Sequence, residues 1–183
     1  MKFCSECGQQ VTHKVPELDD RKRYVCESCG VIHYQNPKVI VGSLPVWQDQ
    51  VLLCRRAIEP RYGYWTLPAG FMENGETTLE GAIRETQEEA GALLKDGTLY
   101  RLFDIPIINQ VYLFYLAELQ TPDMDPGVES LEVRMFDEAD IPWDELAFPV
   151  MNDVLKEFFD DRRKNEYPVR TGLPSFRLKP AAS

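Results

Sequence analysis

A dense apolar run, Lys38-Val-Ile-Val-Gly-Ser-Leu-Pro-Val-Trp47, is followed after Asp49-Gln50 by a second, Val51-Leu-Leu-Cys54. Short apolar runs separated by polar turn residues predict two strands joined by a hairpin. Trp65-Thr-Leu-Pro-Ala-Gly70 then leads into a different period: Leu79, Ile83, Thr86 and Ala90 recur at spacings of three and four, the mostly apolar stripe of a helix. Thr77 and Glu80 have the spacing of a capping box at its start, and Gly91 supplies a stop signal. Beyond it, Leu99–Asp104 and Gln110–Leu119 predict strands rich in β-branched and aromatic residues. Glu132–Asp137 predicts one more strand and Val150–Arg162 an amphipathic helix, while the stretch after Tyr167 has prolines and basic residues without periodicity. No apolar run reaches the ~18 residues of a membrane-spanning helix.

The polar side of the first helix carries the candidate chemistry. Glu85, Glu88 and Glu89 lie at i, i+3 and i+4, so their carboxylates share one side. Carboxylates held that close repel one another unless a cation lies between them. An all-oxygen set of this kind suits Mg²⁺ or Mn²⁺ better than zinc. Arg84 starts about 100° away around the helix, within reach of folding back to orient a carboxylate. Gly70 and Gly75 let the preceding loop turn sharply and approach the helix, and a backbone carbonyl near Ala69 or Gly70 is a candidate further oxygen ligand. A solvated acidic face is the plain alternative. The fixed order of glycine loop, arginine and three glutamates argues for the metal.

A second constellation stands at the N-terminus. Cys4-Ser-Glu-Cys7 and Cys26-Glu-Ser-Cys29 are two C-x2-C knuckles, each followed by glycine and separated by eighteen residues. That spacing fits a tetrahedral four-thiolate Zn²⁺ site. Two disulfides or a redox C-x-x-C pair are the competing readings. No apolar signal segment precedes Cys4, and the knuckle is repeated, which favours structural zinc and a cytoplasmic location. A module this small has little core of its own, so the metal supplies much of its stability. Cys54, in an apolar strand, is expected as a buried free thiol, and His13 and His33 as packing or surface residues.

Charge narrows the partners. With 20 Lys and Arg against 30 Asp and Glu, the formal net charge is −10, which disfavours gathering affinity from nucleic-acid phosphates. Lys14, Arg21, Lys22 and Arg23 between the knuckles are offset by Glu17, Asp19 and Asp20, so a structural or dimer-building role for the zinc module is expected and the chain is expected to form a homodimer. The expected organisation is a zinc ribbon over residues 1–35, an α/β domain over 36–162 and a tail over 163–183.

The segment from Gly70 to Ala92 resembles the Nudix box, G-x5-E-x7-R-E-U-x-E-E-x-G-U with U a bulky aliphatic residue. Gly70, Glu76, Arg84, Glu85, Glu88, Glu89 and Gly91 fall in register, while Thr86 and Ala92 occupy the two U positions and depart from them. The resemblance implies an α/β/α sandwich and hydrolysis of a nucleoside diphosphate linked to another moiety. By position it implies divalent cations on Glu85, Glu88 and Glu89, Arg84 as orienter of Glu85, and Glu76 as a structural brace. Glu85 serves as base in some members.

A zinc ribbon before this box also resembles the NADH pyrophosphatases, but their S-Q-P-W-P-F-P-x-S stretch is missing from Leu102–Tyr112. Pro106, fifteen residues after Gly91, resembles the proline of ADP-ribose pyrophosphatases. Tyr34-Gln-Asn-Pro37, Asp104-Ile-Pro106, Glu129-Ser-Leu-Glu132, Ile141-Pro and Leu146-Ala-Phe148 are similar to the zinc-ribbon group that includes FAD pyrophosphatases. The implied substrate is a small nucleotide, FAD or ADP-ribose, cleaved with release of AMP. A nucleotide-sensing regulator and a housekeeping hydrolase of other nucleotides are the rival readings. Tyr62, Tyr64, Trp65 and Phe71 are candidates to stack on a base, Arg55 or Arg56 to grip a phosphate, and Glu129 ahead of Glu132 to add a ligand or base.

Overall fold

The computed structural model describes residues 1–175. Contacts divide it into two compact units, Met1–Pro37 and the residues from Lys38 on. The first is a three-stranded antiparallel sheet of β1 (Val11–Lys14), β2 (Arg23–Cys26) and β3 (Ile32–His33). His13 stacks on Tyr24 across the first strand pair, with ring centroids 4.7 Å apart.

The second unit is built on a mixed sheet. Its strands are β4 (Lys38–Trp47), β5 (Gln50–Arg56), β6 (Trp65–Thr66), β7 (Ala69–Phe71), β8 (Leu94–Ile105), β9 (Gln110–Leu119), β10 (Ser130–Phe136) and β11 (Arg170–Gly172). The order is β10-β5-β4-β9-β8-β11, with β6 beside β5 and β7 beside β4. β4 runs parallel to β9 through its whole length and passes from β7 to β5 on its other edge. Its interior is buried on both faces, which accounts for its nearly continuous apolar run.

Helices α1 (Thr78–Ala90) and α2 (Pro149–Lys164) cover opposite faces. The alternation along β9 shows this directly. Tyr112, Phe114 and Leu116 pack in the cluster that holds Val150, Val154, Leu155 and Phe158 of α2. Leu113, Tyr115 and Ala117 face the clusters that hold Leu79, Ala82, Ile83 and Ala90 of α1. The α/β/α sandwich expected from the sequence is therefore the fold of this unit. Among the described residues, no helix is long and apolar enough to cross a membrane.

α1 begins where the sequence places it. Thr77 accepts from the Glu80 N–H, the Glu80 carboxylate accepts from the Thr77 N–H at 2.7 Å, and Gly91 closes the helix in the left-handed conformation. Other boundaries differ. The hairpin turn is Gln48-Asp49 rather than Asp49-Gln50, because Trp47 pairs with Gln50 and Gln48 takes the left-handed conformation. β8 starts at Leu94 rather than near Leu99, since two register shifts interrupt the alternation that periodicity detects.

The stretch without periodicity also acquires structure. Residues 163 and 164 finish α2, and β11 adds to the sheet edge parallel to β8; residues 176–183 of the expected tail lie outside the described residues. What holds β11 is an ion pair. Arg170 donates to both carboxylate oxygens of Asp161, at 2.5 and 2.6 Å, and Tyr100 donates to the same group at 2.7 Å. Asp161 is 2% exposed, and the Arg170 guanidinium holds its carboxyl below the usual range.

Thr86, which departs from the aliphatic pattern, is fully buried and has a partner. Its hydroxyl donates to the Ala82 carbonyl at 2.7 Å and meets the Ser43 hydroxyl of β4 at 2.6 Å. Since Thr86 spends its proton on Ala82, Ser43 is the donor to Thr86. Thr86→Val would strand the Ser43 hydroxyl among apolar groups and is expected to cost about 1–3 kcal/mol in urea unfolding. Ser43→Ala is expected to cost less, and the double substitution to recover part of the Thr86→Val loss; additive losses would contradict the pairing.

Candidate functional site

The glutamates of α1 open into a cleft of about 750 Å³. Its walls come from the end of β5 (Arg56) and the loop after it (Ile58, Pro60), β7 (Ala69, Gly70, Phe71), α1 (Arg84, Glu85, Glu88, Glu89) and the loop before β10 (Gly127, Val128, Glu129). The helix supplies a polar floor because its 3.6-residue period sends Glu85 and Glu89 inward beside the buried stripe. Both are under 10% exposed, and burying two carboxylates this close together is costly without compensating positive charge.

Arg84 organises the acidic side. Its Nε and Nη2 donate to the two oxygens of Glu76 at 2.9 and 2.8 Å. Nη1 donates to Glu85 at 2.7 Å and to Glu88 at 3.0 Å, and Nη2 also reaches the Phe71 carbonyl at 3.2 Å. Although Arg84 leaves the helix at an angle to Glu85, its long side chain folds back across the loop. Glu76 also accepts from the Glu73 N–H at 2.7 Å, so the loop between Phe71 and Thr77 is tied to the helix through one guanidinium. Hydrogen bonds from Arg84 and Glu73 hold the Glu76 carboxyl down at about 2.

The opposite shift occurs deeper in the cleft. Burial raises the Glu85 carboxyl, against the pull of Arg84. Burial and the Glu85 charge push Glu89 up to about 8, while the Ala69 N–H, 3.3 Å from its Oε2, works the other way. Two buried carboxyls that resist ionising together fit a divalent cation, which favours both charged forms at once. Gly70 leaves room for the Glu85 carboxylate in this position: a Cβ there would overlap it, and the carboxylate would have to swing aside.

Other sequence candidates separate cleanly. Arg56 lines the cleft, with Nε donating to the Pro60 carbonyl at 2.9 Å and the guanidinium over the Phe148 ring. Arg55 is turned elsewhere, donating to the Gly63 carbonyl and lying 3.9 Å from Glu132. Glu129 lines the cleft and Glu132 does not. Of the four aromatic candidates only Phe71 is on the wall, half-exposed; Trp65 is buried edge-on against Phe136, and Tyr62 and Tyr64 lie outside the lining. Cys54 is a buried free thiol, as its strand implies. Ile58, Pro60 and Val128 also line the cleft without any signal along the chain, because no period or motif marks a residue that only a loop brings to a cleft.

In the N-terminal unit the knuckle sulfurs converge. The Sγ atoms of Cys4, Cys7, Cys26 and Cys29 all lie within 4.8 Å of one another, with Cys4–Cys29 at 3.7 Å and Cys7–Cys26 at 3.4 Å. A Zn–S bond of about 2.3 Å gives a tetrahedron with edges of about 3.8 Å, so the donor set fits zinc. Gly8 and Gly30, both at positive φ, turn the chain back so that their N–H groups bond the Cys4 and Cys26 carbonyls. The Cys29 N–H brings the Cys26 thiol down to about 7, while Cys7, though favoured by the Gln9 N–H, is pushed up to about 12 by the Cys26 sulfur. Of the two histidines, His33 touches the set, with its Nε2 3.3 Å from the Cys4 sulfur.

Comparison with known proteins follows these two units. The Nudix N-terminal zinc-ribbon model matches residues 2–35, and the NUDIX domain model matches residues 36–158. A NUDIX hydrolase from Nitrosomonas europaea of known structure has a TM-score of 0.92 at 51% identity, covering 94% of this chain and 98% of that one. An ADP-ribose pyrophosphatase of Methanocaldococcus jannaschii is 27% identical over 145 residues, 77% of this chain and 80% of that protein. A NAD-capped RNA hydrolase NudC of Photobacterium profundum is 30% identical over 133 residues, 70% of this chain and 47% of that protein. The chain thus spans about half the length of the NudC relatives it matches.

Metal analysis of the purified chain is expected to find about one zinc per chain, falling to near zero in Cys26→Ser with loss of the folded N-terminal unit. A folded, metal-free N-terminal unit would contradict the assignment.

Proposed function

The chain belongs to the NUDIX domain family, and on that premise we propose that it hydrolyses the pyrophosphate bond of an ADP-linked nucleotide such as FAD or ADP-ribose, releasing AMP. The observation that carries this reading is one cleft that combines Glu85, Glu88, Glu89 and Glu129 with Arg56 and an apolar wall. Glu85, Glu88 and Glu89, together with the backbone carbonyl of Ala69, which lines the same cleft, are the groups that would hold Mg²⁺ or Mn²⁺. A divalent ion bound there neutralises the diphosphate and lowers the pKa of a coordinated water.

The chain's own residues supply the rest. Arg84 keeps Glu85 and Glu88 aimed at the cleft, and Glu76 braces Arg84. Glu129 makes no ion pair among the described residues, so its carboxylate is free to accept a proton from the attacking water. Arg56 meets phosphate oxygens with a guanidinium whose geometry matches them. Phe71 offers a ring to the base, alongside the aliphatic surface of Ile58 and Pro60.

NAD-capped RNA or NADH is the second reading, favoured by the activity named for the NudC relatives. The net charge of −10 and the missing S-Q-P-W-P-F-P-x-S stretch weigh against it.

Purified protein with Mg²⁺ or Mn²⁺ should be offered FAD, ADP-ribose, NADH and NAD-capped RNA, and the products separated. AMP is expected from FAD or ADP-ribose, with kcat reduced at least about a hundredfold in Glu89→Gln, the scale on which loss of a charge-stabilising group registers. Turnover of NADH or capped RNA alone would overturn the substrate reading. Tight nucleotide binding without turnover would overturn hydrolysis itself and favour the regulator.

A further inference from the structure

Between Leu119 at the end of β9 and Ser130 at the start of β10, the chain crosses the C-terminal end of α1. Met124 packs on the cluster that holds Ala90, and two main-chain bonds fasten the loop beside it: the Asp125 N–H donates to the Ala90 carbonyl at 2.8 Å and the Gly127 N–H to the Glu89 carbonyl at 3.1 Å. Helix ends leave such carbonyls without intrahelical donors, so the loop serves as the cap of α1. Between these two bonds the approach is closer still. A Cβ on Gly127 would overlap the Glu88 carbonyl oxygen and lie 2.9 Å from its carbon and 3.4 Å from the Glu89 Cα. The obstacle is helical backbone, which cannot swing aside.

Gly127 is not among the glycines at positive φ, so its backbone conformation does not call for glycine. The requirement is for space. Two residues later Glu129 enters the cleft, with its carbonyl bonded by the Ala57 N–H at 2.8 Å and a turn closed by Ser130 N–H on the Gly127 carbonyl at 3.0 Å. Val128, between these fixed points, is 97% exposed and contributes no packing that would hold the turn in place.

We infer that Gly127 is a positioning residue: its missing side chain lets the loop seat on the last turn of α1, which sets Glu129 opposite the carboxylates carried by that same helix. The inference rests on the reading of Glu129 given above. It ties both sides of the site to one rigid element, so a shift of the loop changes the distance from Glu129 to the metal-holding groups. A displacement on the order of 1 Å in such a constellation costs up to about a hundredfold in rate.

The test is a double-mutant cycle with FAD or ADP-ribose, at a temperature where circular dichroism shows every variant folded. Gly127→Ala is expected to lower kcat about 10- to 100-fold with KM changed less than about threefold. Because Gly127 acts through Glu129, the Gly127→Ala/Glu129→Gln double variant is expected to match Glu129→Gln alone within about twofold. Losses that multiply, or wild-type kcat in Gly127→Ala, would overturn the inference. Should Gly127→Ala fail to fold, Pro126→Gly loosens the same loop without overlap, and its loss should likewise vanish in the Glu129→Gln background; a multiplying loss there overturns the inference too. A Glu129→Gln variant with wild-type kcat would instead remove the role given to Glu129, a separate outcome.

Discussion

The guanidinium of Arg84 is the interaction on which the acidic cleft depends. It divides its donors among Glu76, Glu85, Glu88 and the Phe71 carbonyl, so one side chain joins loop to helix and keeps neighbouring carboxylates from repelling each other apart. It serves the outer part of the site only. Glu89, deeper and beyond its reach, has just the Ala69 N–H as a hydrogen-bond partner among the described residues, and its ionisation is opposed by both burial and Glu85. Arginine therefore compensates the rim while the centre lacks such a partner, an arrangement that fits a divalent cation.

α1 can hold such a concentration of charge because it is fixed along its whole length. A capping box secures its N-terminus, a buried hydroxyl pair with Ser43 ties its middle to β4, and the loop through Asp125 and Gly127 satisfies carbonyls at its C-terminus. Each fastening is polar and directional, so together they set the rotation of the helix as well as its depth. Rotation is what matters, since a turn of some tens of degrees would carry Glu85 and Glu89 out of the cleft. The far face of the sheet uses a different means. There the aromatic and aliphatic side chains of α2 supply the larger apolar burial, on the order of 1.5–3 kcal/mol for each large side chain, and the Asp161–Arg170 pair adds the edge strand.

The N-terminal unit answers a separate problem. It buries little beyond Cys4, Pro16, Val25 and Cys26, too small a core to offset the entropy of ordering a chain of that length. Four converging thiols supply the missing stability once a soft-accepting cation binds them. Hard oxygen donors on α1 and soft thiols in the ribbon are donor sets suited to different metals.

The amino-acid sequence by itself determined the local features: the capping box and stop of α1, the i, i+3, i+4 carboxylates, the twin knuckles, and the strands with strong apolar runs. These depend on spacing along the chain, and spacing is what a sequence records. It did not determine β11, the early part of β8, or the wall of Ile58, Pro60 and Val128, because these arise from contacts between residues far apart in the chain. Nor could it choose Arg56 over Arg55, neighbours that differ only in which way the strand presents them. The loop-like setting after Pro126-Gly127 did rank Glu129 ahead of Glu132, and the tertiary structure adds that Glu129 lines the cleft. The requirement for glycine at position 127 is of the same kind. The sequence marks it as a loop residue, and only the approach of helical backbone from residues 88 and 89 gives the reason that no side chain fits.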